Sequence, residues 1–594
     1  MNTKISKIKK DFTNLVIINN HKENNFIDYN QFFQSSKGDY VIFLSYNTKV
    51  YANWLDFLIN LIENDKKIGM VGSKIIYSNG LLEEAGSIAW NNGEFSNFAE
   101  LKAQNLPEFN YVKEVDYVSG SSLIIRKSAW KLLRGFDDRY ESLFYKLIDF
   151  SFKLRKYGFK VMYQPKSVVK HYFKYDKNNN ILLNIKNNKT LDKNLILKKW
   201  KNELEHKDVG KNKFFQIDNG FNKKRIFVID LSIPNFENNA GARCTFMYLK
   251  LFKEIGLQVT FLADNLKMTE PYTTILQQEG IEILYGKYYK NHFNDWIKDN
   301  LKYFDYVYLQ RPEVALKYLD IIKENFSGKI FYFAHDLHYI RLLREYEITK
   351  NIIKKRESEK SKTIEMDIFS KVDIIHVVGN NEQKILKKKF IGKPIRNIPL
   401  YIYSNQVLYI EKDFSKRKGL IFVASFSHSP NEDAILWFIK GILPRIIKKF
   451  PDIILHIVGS PITEKISKLK TPNIEIEGSL SDYELHSLYE KCRIAVAPLR
   501  FGSGVKGKIV EAAYYQIPMI TTSIGAEGLD RNIKSFLVED NPDKMAKLIN
   551  QLYNDFSKLK QMSDSGKIFI RKYFSFRAAK KELLRDINII KQNQ

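Results

Sequence analysis

Short apolar runs alternate with helical patterns along the first 173 residues. FTNLVII, DYVIFL and IGMVGSKIIY have the length and β-branched content of strands, and NWLDFLINLIEN places its apolar residues at helical spacing, so this part reads as α/β. Residues 174–224 change character: KYDKNNNILLNIKNNKTLDK and KKWKNELEHKDVGKNK are polar, rich in Asn and Lys, and only partly helical in pattern, as expected of a linker carrying a helix. At Arg225 the rhythm restarts. A buried strand RIFVIDLS, a loop IPNFENNAGAR, a helix TFMYLKLFKEIG ending on Gly256 and a strand LQVTFLAD make a βαβ unit that opens a fresh parallel sheet. YVYLQ, KIFYFA and IIHVVG extend it, and LIFVAS, DIILHIVGS, IEIEG, RIAVAPL and MITTS form a second series of the same kind. Two Rossmann-like doubly wound lobes in succession are the simplest account.

Composition narrows the class. With 594 residues, 44% apolar and 14% aromatic, the chain can build several cores, which excludes bulk disorder. The formal net charge of +28 predicts attraction to something anionic, but the same Lys-, Asn- and Ile-rich usage follows from coding bias alone. The lysines are dispersed and no nucleic-acid-binding motif is present, so no nucleic-acid partner is expected. Cys244 and Cys492 are too few for a disulfide framework or a four-cysteine metal site. MNTKISKIKKDF lacks the apolar core of a signal peptide and no window reaches 18 uninterrupted apolar residues. The expectation is a cytoplasmic protein, with peripheral contact to the inner face of the cytoplasmic membrane compatible with its charge.

Residues 497–529, APLRFGSGVKGKIVEAAYYQIPMITTSIGAEGL, carry the densest chemistry. A strand ending at Pro498 leads into a loop with Gly502, Ser503 and Gly504, then a helix opening near Val505 that bears Lys506, Lys508 and Glu511. Backbone N–H groups, the helix dipole and two ammonium groups make an anion site suited to a diphosphate. One turn on, Glu511 can accept hydrogen bonds from two vicinal ribose hydroxyls. For the loop alone, a solvated lysine-bearing helix start fits equally well.

Further segments add to this stretch: Gly241 in the first loop, HDLHYIR at 335–341, and FVASFSHSPNEDAILWFI at 422–439. With them, residues 225 to about 590 resemble the family 4 glycosyltransferases, retaining, metal-independent enzymes of GT-B fold. The resemblance implies an acceptor-side lobe over 225–405 and a nucleotide-sugar donor lobe over 406–594. It places Glu511 at the ribose, Lys506 at the diphosphate with Arg500 as a donor-binding helper, and His335 near the donor sugar; His335, Glu511 and Lys506 are the implied catalytic set. Gly241, Gly502, Ser503, Gly504, Lys508, His428, Asn431 and Glu527 are implied around the donor. A nucleotide-diphosphate sugar is the implied co-substrate, with no metal or other cofactor for this half, and the departing phosphate oxygen is implied to take the acceptor's proton. Two departures stand out. The second family glutamate falls on Ser503, and the loop that normally supplies a basic residue reads Ser427, His428, Ser429, Pro430, Asn431, leaving that task to His428 or to Lys506 and Lys508.

Residues 12–173 resemble family 2 glycosyltransferases of GT-A fold through GDYVIFLSYNTKVYANWLDFL, VGSKIIYSNGLLEEAGSIAW, VDYVSGSSLIIRKSAWKLLRGFDDRY and YQPKSVVKHYF. Where that family holds a metal with paired carboxylates, this chain has Ser45, Tyr46, Asn47 and Thr48. The acidic base motif reads Phe144, Tyr145, Lys146, Leu147, with Asp149 beyond it, and the first βαβ segment has no counterpart before FTNLVII. An inverting transfer without its base loses orders of magnitude. The expectation is therefore an incomplete, degenerate GT-A-like domain over 1–173, kept for packing, acceptor binding or assembly. The competing reading is a second live site with Asp116, Asp149 and His171 as an unusual metal set. For the whole chain the expected activity is transfer of a sugar to a surface polysaccharide or lipid-linked oligosaccharide acceptor. The alternative is a catalytically dead scaffold or glycan-binding protein.

Overall fold

The computed structural model describes residues 28–98, 101–172, 190–205, 223–237, 240–403, 413–530 and 532–588, and the FTNLVII run lies outside them. The chain divides into two compact units, residues 1–223 with 274–283, and residues 224–273 with 284–594. None of the described helices is long and apolar enough to cross a membrane.

The first unit is built on a mixed sheet of β1 (Tyr40–Leu44), β2 (Thr48–Val50), β3 (Ile68–Ile76), β4 (Ser122–Arg126) and β5 (Lys160–His171), in the order β1-β4-β3-β5-β2. Strand β3 is buried along its whole length, as a near-continuous apolar run predicts for a strand covered on both faces. It pairs in parallel with β5 and antiparallel with β4. Helix α1 (Trp54–Asn64) buries Trp54, Leu55, Leu58 and Ile62, the stripe read from the sequence, against Val71, Ile124 and Val169 of the sheet. Helix α2 (Leu143–Lys156) is capped by the Ser142 side chain, which accepts from the Phe144 N–H.

Within the polar stretch 174–224, helix α3 (Thr190–Lys199) and the residues after it sink Ile196, Trp200 and Leu204 into a cluster with Tyr140, Ile148 and Phe152. Trp200 stacks on Phe152 at 5.5 Å between ring centroids. An Asn- and Lys-rich composition does not announce this packing, because a few apolar residues carry it, with Leu195 and Leu197 packing beside those three.

The second unit contains two parallel sheets. In the first lobe, β6 (Arg225–Asp230), β7 (Gln258–Ala263), β8 (Tyr306–Gln310), β9 (Lys329–Ala334), β10 (Ile374–Val377) and β11 (Ile395–Asn397) run in the order β7-β6-β8-β9-β10-β11. The second lobe has β12 (Leu420–Val423), β13 (Leu455–Val458), β14 (Ile474–Gly478), β15 (Ile494–Ala497), β16 (Met519–Thr521) and β17 (Phe536–Val538), ordered β14-β13-β12-β15-β16-β17. Each sheet reverses its winding beside its first strand, between β6 and β8 and between β12 and β15. In such sheets the carboxyl ends of the strands at the reversal border a ligand crevice. After the helix Phe576–Leu583 the chain fastens to the first lobe: Arg396 donates to both Asp586 carboxylate oxygens at 2.7 Å, and Lys329 donates to the Asp586 carbonyl at 3.1 Å.

Close packing at the carboxyl end of β13 gives a direct test. Gly459 has φ +137°, and a Cβ there would collide with the Ala424 carbonyl. Gly459→Ala should therefore cost about 2–4 kcal/mol of stability. Gly392→Ala, at φ +81° in open space, should cost about 1 kcal/mol. Urea midpoints of the two variants compare them directly.

Candidate functional site

The loop after β15 and helix α9 (Gly507–Tyr514) lie against the first lobe at the winding reversals of both sheets. The helix begins at Gly507 with Lys506 at its cap, two residues beyond the opening expected near Val505. Gly504 takes φ +69°, and a Cβ there would stand 3.2 Å from the His335 carbonyl oxygen and 3.4 Å from the Asp336 Cβ, so a glycine lets the loop come this close. Gly241 is needed for a different reason: a Cβ there would strike the Arg311 guanidinium.

Four side chains of the first lobe reach the loop. Arg243, on helix α4 (Ala240–Glu254), donates to Glu511 Oε1 at 2.8 Å and to Asp482 Oδ1 at 2.8 Å. Asp336 accepts from the Ser503 hydroxyl at 3.1 Å. Glu382, on helix α6 (Asn380–Lys389), accepts from the Gly504 N–H at 2.7 Å. Arg344, on helix α5 (His338–Thr349), donates to both Glu527 oxygens at 2.7 and 2.8 Å and also to the Gly502 carbonyl. None of Arg243, Asp336, Arg344 and Glu382 was singled out from sequence. Only Asp336 carried a signal, as part of HDLHYIR.

The cations implied at the diphosphate differ sharply in state. Lys506 donates to the Gly504 carbonyl and lies 3.7 Å from Glu527, so a carboxylate already answers its charge. Glu527, despite burial, is held below the ordinary carboxylate range by Arg344 and Lys506. Arg500 is clamped by Asp433, with Nε donating to Oδ2 at 2.9 Å, and so is committed within its own lobe rather than free for an anion. Lys508 instead donates to the neutral Asn431 Oδ1 at 2.6 Å and sits 4.8 Å from the centre of the Phe422 ring. Burial and the neighbouring Lys506 ammonium push its pKa down to about 7. An anion beside Lys508 would relieve that penalty, which leaves Lys508 better placed than Lys506 or Arg500 to meet one.

Glu511 is buried, with Tyr489 of helix α8 (Asp482–Lys491) donating to Oε2 at 3.3 Å, and burial raises its pKa even with Arg243 opposing. His335 donates from Nε2 to Gln310 Oε1 at 2.8 Å, which leaves Nδ1 as the bare acceptor, buried and without a partner among the described residues. Burial and the Arg311 guanidinium hold this imidazole well below its usual range, hence neutral. Next to it, the His338 and Arg341 charges overcome burial and keep Asp336 ionised. His428 stands at the N-cap position of helix α7 (Ser429–Gly441), and desolvation with the Arg341 charge lowers its pKa. Asn431 completes the junction, donating to the Ser425 carbonyl at 2.7 Å while accepting from Lys508.

The N-terminal metal candidates are not brought together. Asp149 Oδ1 is taken by Trp200 Nε1 at 2.8 Å and Lys199 Nζ at 2.7 Å. Asp116 pairs with Arg155 at 2.9 Å, and His171 with Glu83 at 2.9 Å. Among the described residues, the grouping close enough to share an ion is His456, Glu475 and Glu477 on β13 and β14.

Residues 417–555 match the family of glycosyl transferases group 1. A Klebsiella pneumoniae protein described as an uncharacterized 44.6 kDa protein in the cps region is 29% identical over 164 residues, 26% of this chain. The chain spans 42% of that relative's length. Among solved structures, sucrose-phosphate synthase of Thermosynechococcus elongatus aligns with a TM-score of 0.47 at 13% identity, over 61% of this chain and 98% of that one. HepE of Anabaena, solved with UDP and glucose, gives 0.46 at 13% identity over 61% and 98%. A glycosyltransferase of Rickettsia africae gives 0.44 at 16% identity over 63% and 100%.

The Arg243–Glu511 pair sets an order of stabilities in the nucleotide-free protein. Arg243→Ala strands a buried carboxylate and should cost about 2–3 kcal/mol. Glu511→Gln leaves Arg243 its bonds to Asp482 and to the Phe236 carbonyl, and should cost under about 1 kcal/mol. Urea unfolding of the two variants checks the order.

Proposed function

We propose that the chain is a glycosyltransferase that uses a nucleotide-diphosphate sugar, with its active site between the two lobes of residues 224–594. One observation carries the reading. A half-buried lysine without an ion-pair partner among the described residues (Lys508) and a buried glutamate (Glu511) stand one turn apart at the start of α9, inside the stretch that matches the glycosyl transferases group 1 family.

In this reading the ribose hydroxyls donate to Glu511 and the diphosphate lies against Lys508, Lys506 and the N–H groups opening α9. As the sugar–phosphate bond breaks, negative charge grows on the departing phosphate. Fixed cations and N–H dipoles already in place stabilise that charge without reorganising. His335 contributes as a neutral group, its bare Nδ1 able to accept a hydrogen bond from the donor sugar. No protein nucleophile is invoked, and transfer proceeds with retention, the phosphate oxygen accepting the acceptor's proton. The acceptor is a surface polysaccharide or a lipid-linked oligosaccharide, in keeping with the cps-region relative. Residues 1–223 are not a second catalytic centre, a view supported by the ion pairs that occupy Asp116, Asp149 and His171.

The test is a hydrolysis and transfer screen of common nucleotide sugars on the full chain, with Glu511→Gln and Lys508→Met alongside. Each variant should lower kcat/KM by about 100-fold with whichever donor turns over, and the released sugar should keep the anomeric configuration of the donor. Undiminished turnover in both variants would move the active site out of this cleft.

A further inference from the structure

A second site lies in the first unit, where the end of β3, the turn 77–81 and the loop 103–110 enclose an open cavity of about 440 Å³. Lys74 lines it while being only 4% exposed. Its ammonium group donates to two neutral oxygens, Asn110 Oδ1 at 2.5 Å and the Gln104 carbonyl at 3.3 Å. One of its three N–H bonds is left without an acceptor among the described residues. Its charged neighbours are Lys113 and Lys166, and with burial they pull its pKa down to about 7.

This arrangement is costly for a purely structural role. Burying an ammonium carries a large desolvation penalty unless a counter-charge repays it. A neutral donor at position 74 would close the same two hydrogen bonds without that penalty. Lys113 shows how the unit accommodates a buried cation elsewhere: its Nζ lies 4.4 Å from the centre of the Phe98 ring and 5.1 Å from that of Tyr111, and donates to the Glu108 carbonyl at 3.1 Å. Lys74 has no such cage and opens on a cavity. The lining also holds the carboxamides of Asn79, Gln104 and Asn105, a group type that both donates and accepts, while the Asn110 amide is spent inside the wall, donating to the Gln104 carbonyl at 3.0 Å and the Leu106 carbonyl at 2.6 Å. Paired donor and acceptor groups match sugar hydroxyls, and a lone cation at the floor matches one negative charge.

We infer that this cavity binds an anionic sugar unit, its carboxylate or phosphate group on Lys74 and its hydroxyls on the surrounding carboxamides. The inference goes beyond the proposed donor site and uses none of its residues, so either can fail alone.

The experiment is titration of the full-length protein by calorimetry at pH 6.5 with glucuronate, glucose 6-phosphate, glucose and inorganic phosphate, repeated on Lys74→Met and Asn79→Ala. Asn79 is exposed, so its replacement leaves the fold intact and keeps the test informative if Lys74→Met loosens the loop. One of the two anionic sugars should bind about tenfold or more tightly than glucose, identifying carboxylate or phosphate as the charge read. Lys74→Met should remove that advantage, and Asn79→Ala should weaken binding about threefold or more. Absence of saturable binding by either anionic sugar, binding unchanged in both variants, or inorganic phosphate binding as tightly as the sugars would overturn the inference.

Discussion

The ion pair between Arg243 and Glu511 is the contact on which the organisation of the second unit turns. It joins a helix that follows the first strand of one sheet to the helix that follows β15 of the other, and does so through a buried glutamate. Two ions brought out of water repay their desolvation only with good geometry and further partners. Here Asp482, Tyr489 and the Phe236 carbonyl supply those partners. A ligand that takes over Glu511 must either share it with Arg243 or release the arginine, so occupancy of the site and the contact between the lobes are energetically one problem.

The same constraint explains the uneven state of the lysines. Lys506 can be buried because Glu527 is near, and Glu527 can be buried because Arg344 grips both its oxygens. Lys508 has only an amide and a ring face. Among the described residues this leaves one cation at the start of α9 without a carboxylate in direct contact, where the helix dipole also favours an anion. In the first unit the pattern is reversed at the buried carboxylate of Asp149: Lys199 and Trp200, from the polar stretch after β5, close over it.

Much of the framework was legible because parallel strands buried on both faces write themselves as apolar runs. LQVTFLAD, KIFYFA, LIFVAS and RIAVAPL each became such a strand, DYVIFL became a half-buried antiparallel edge strand, and NWLDFLINLIEN became the helix its spacing predicts. The loop from Gly502 to Glu511 was legible as well, since its chemistry is local. The partners of that loop were not. Arg243, Arg344 and Glu382 look like ordinary helix-surface charges at 268, 158 and 122 residues' separation from the atoms they meet. Arg500 shows the opposite failing, for its position suggested an anion ligand and only the fold reveals Asp433 beside it. The chain's +28 charge said nothing of Lys74 either, because what distinguishes that residue is burial among other cations.

The most direct measurement is a crystal structure of the full chain soaked with a nucleoside diphosphate. The account predicts ribose hydroxyls on Glu511, phosphate oxygens within hydrogen-bond distance of Lys508, and Arg243 moved off the Glu511 Oε1 it holds at 2.8 Å without ligand. Nucleotide bound elsewhere, with the Arg243–Glu511 pair intact and Lys508 still on Asn431, would contradict it.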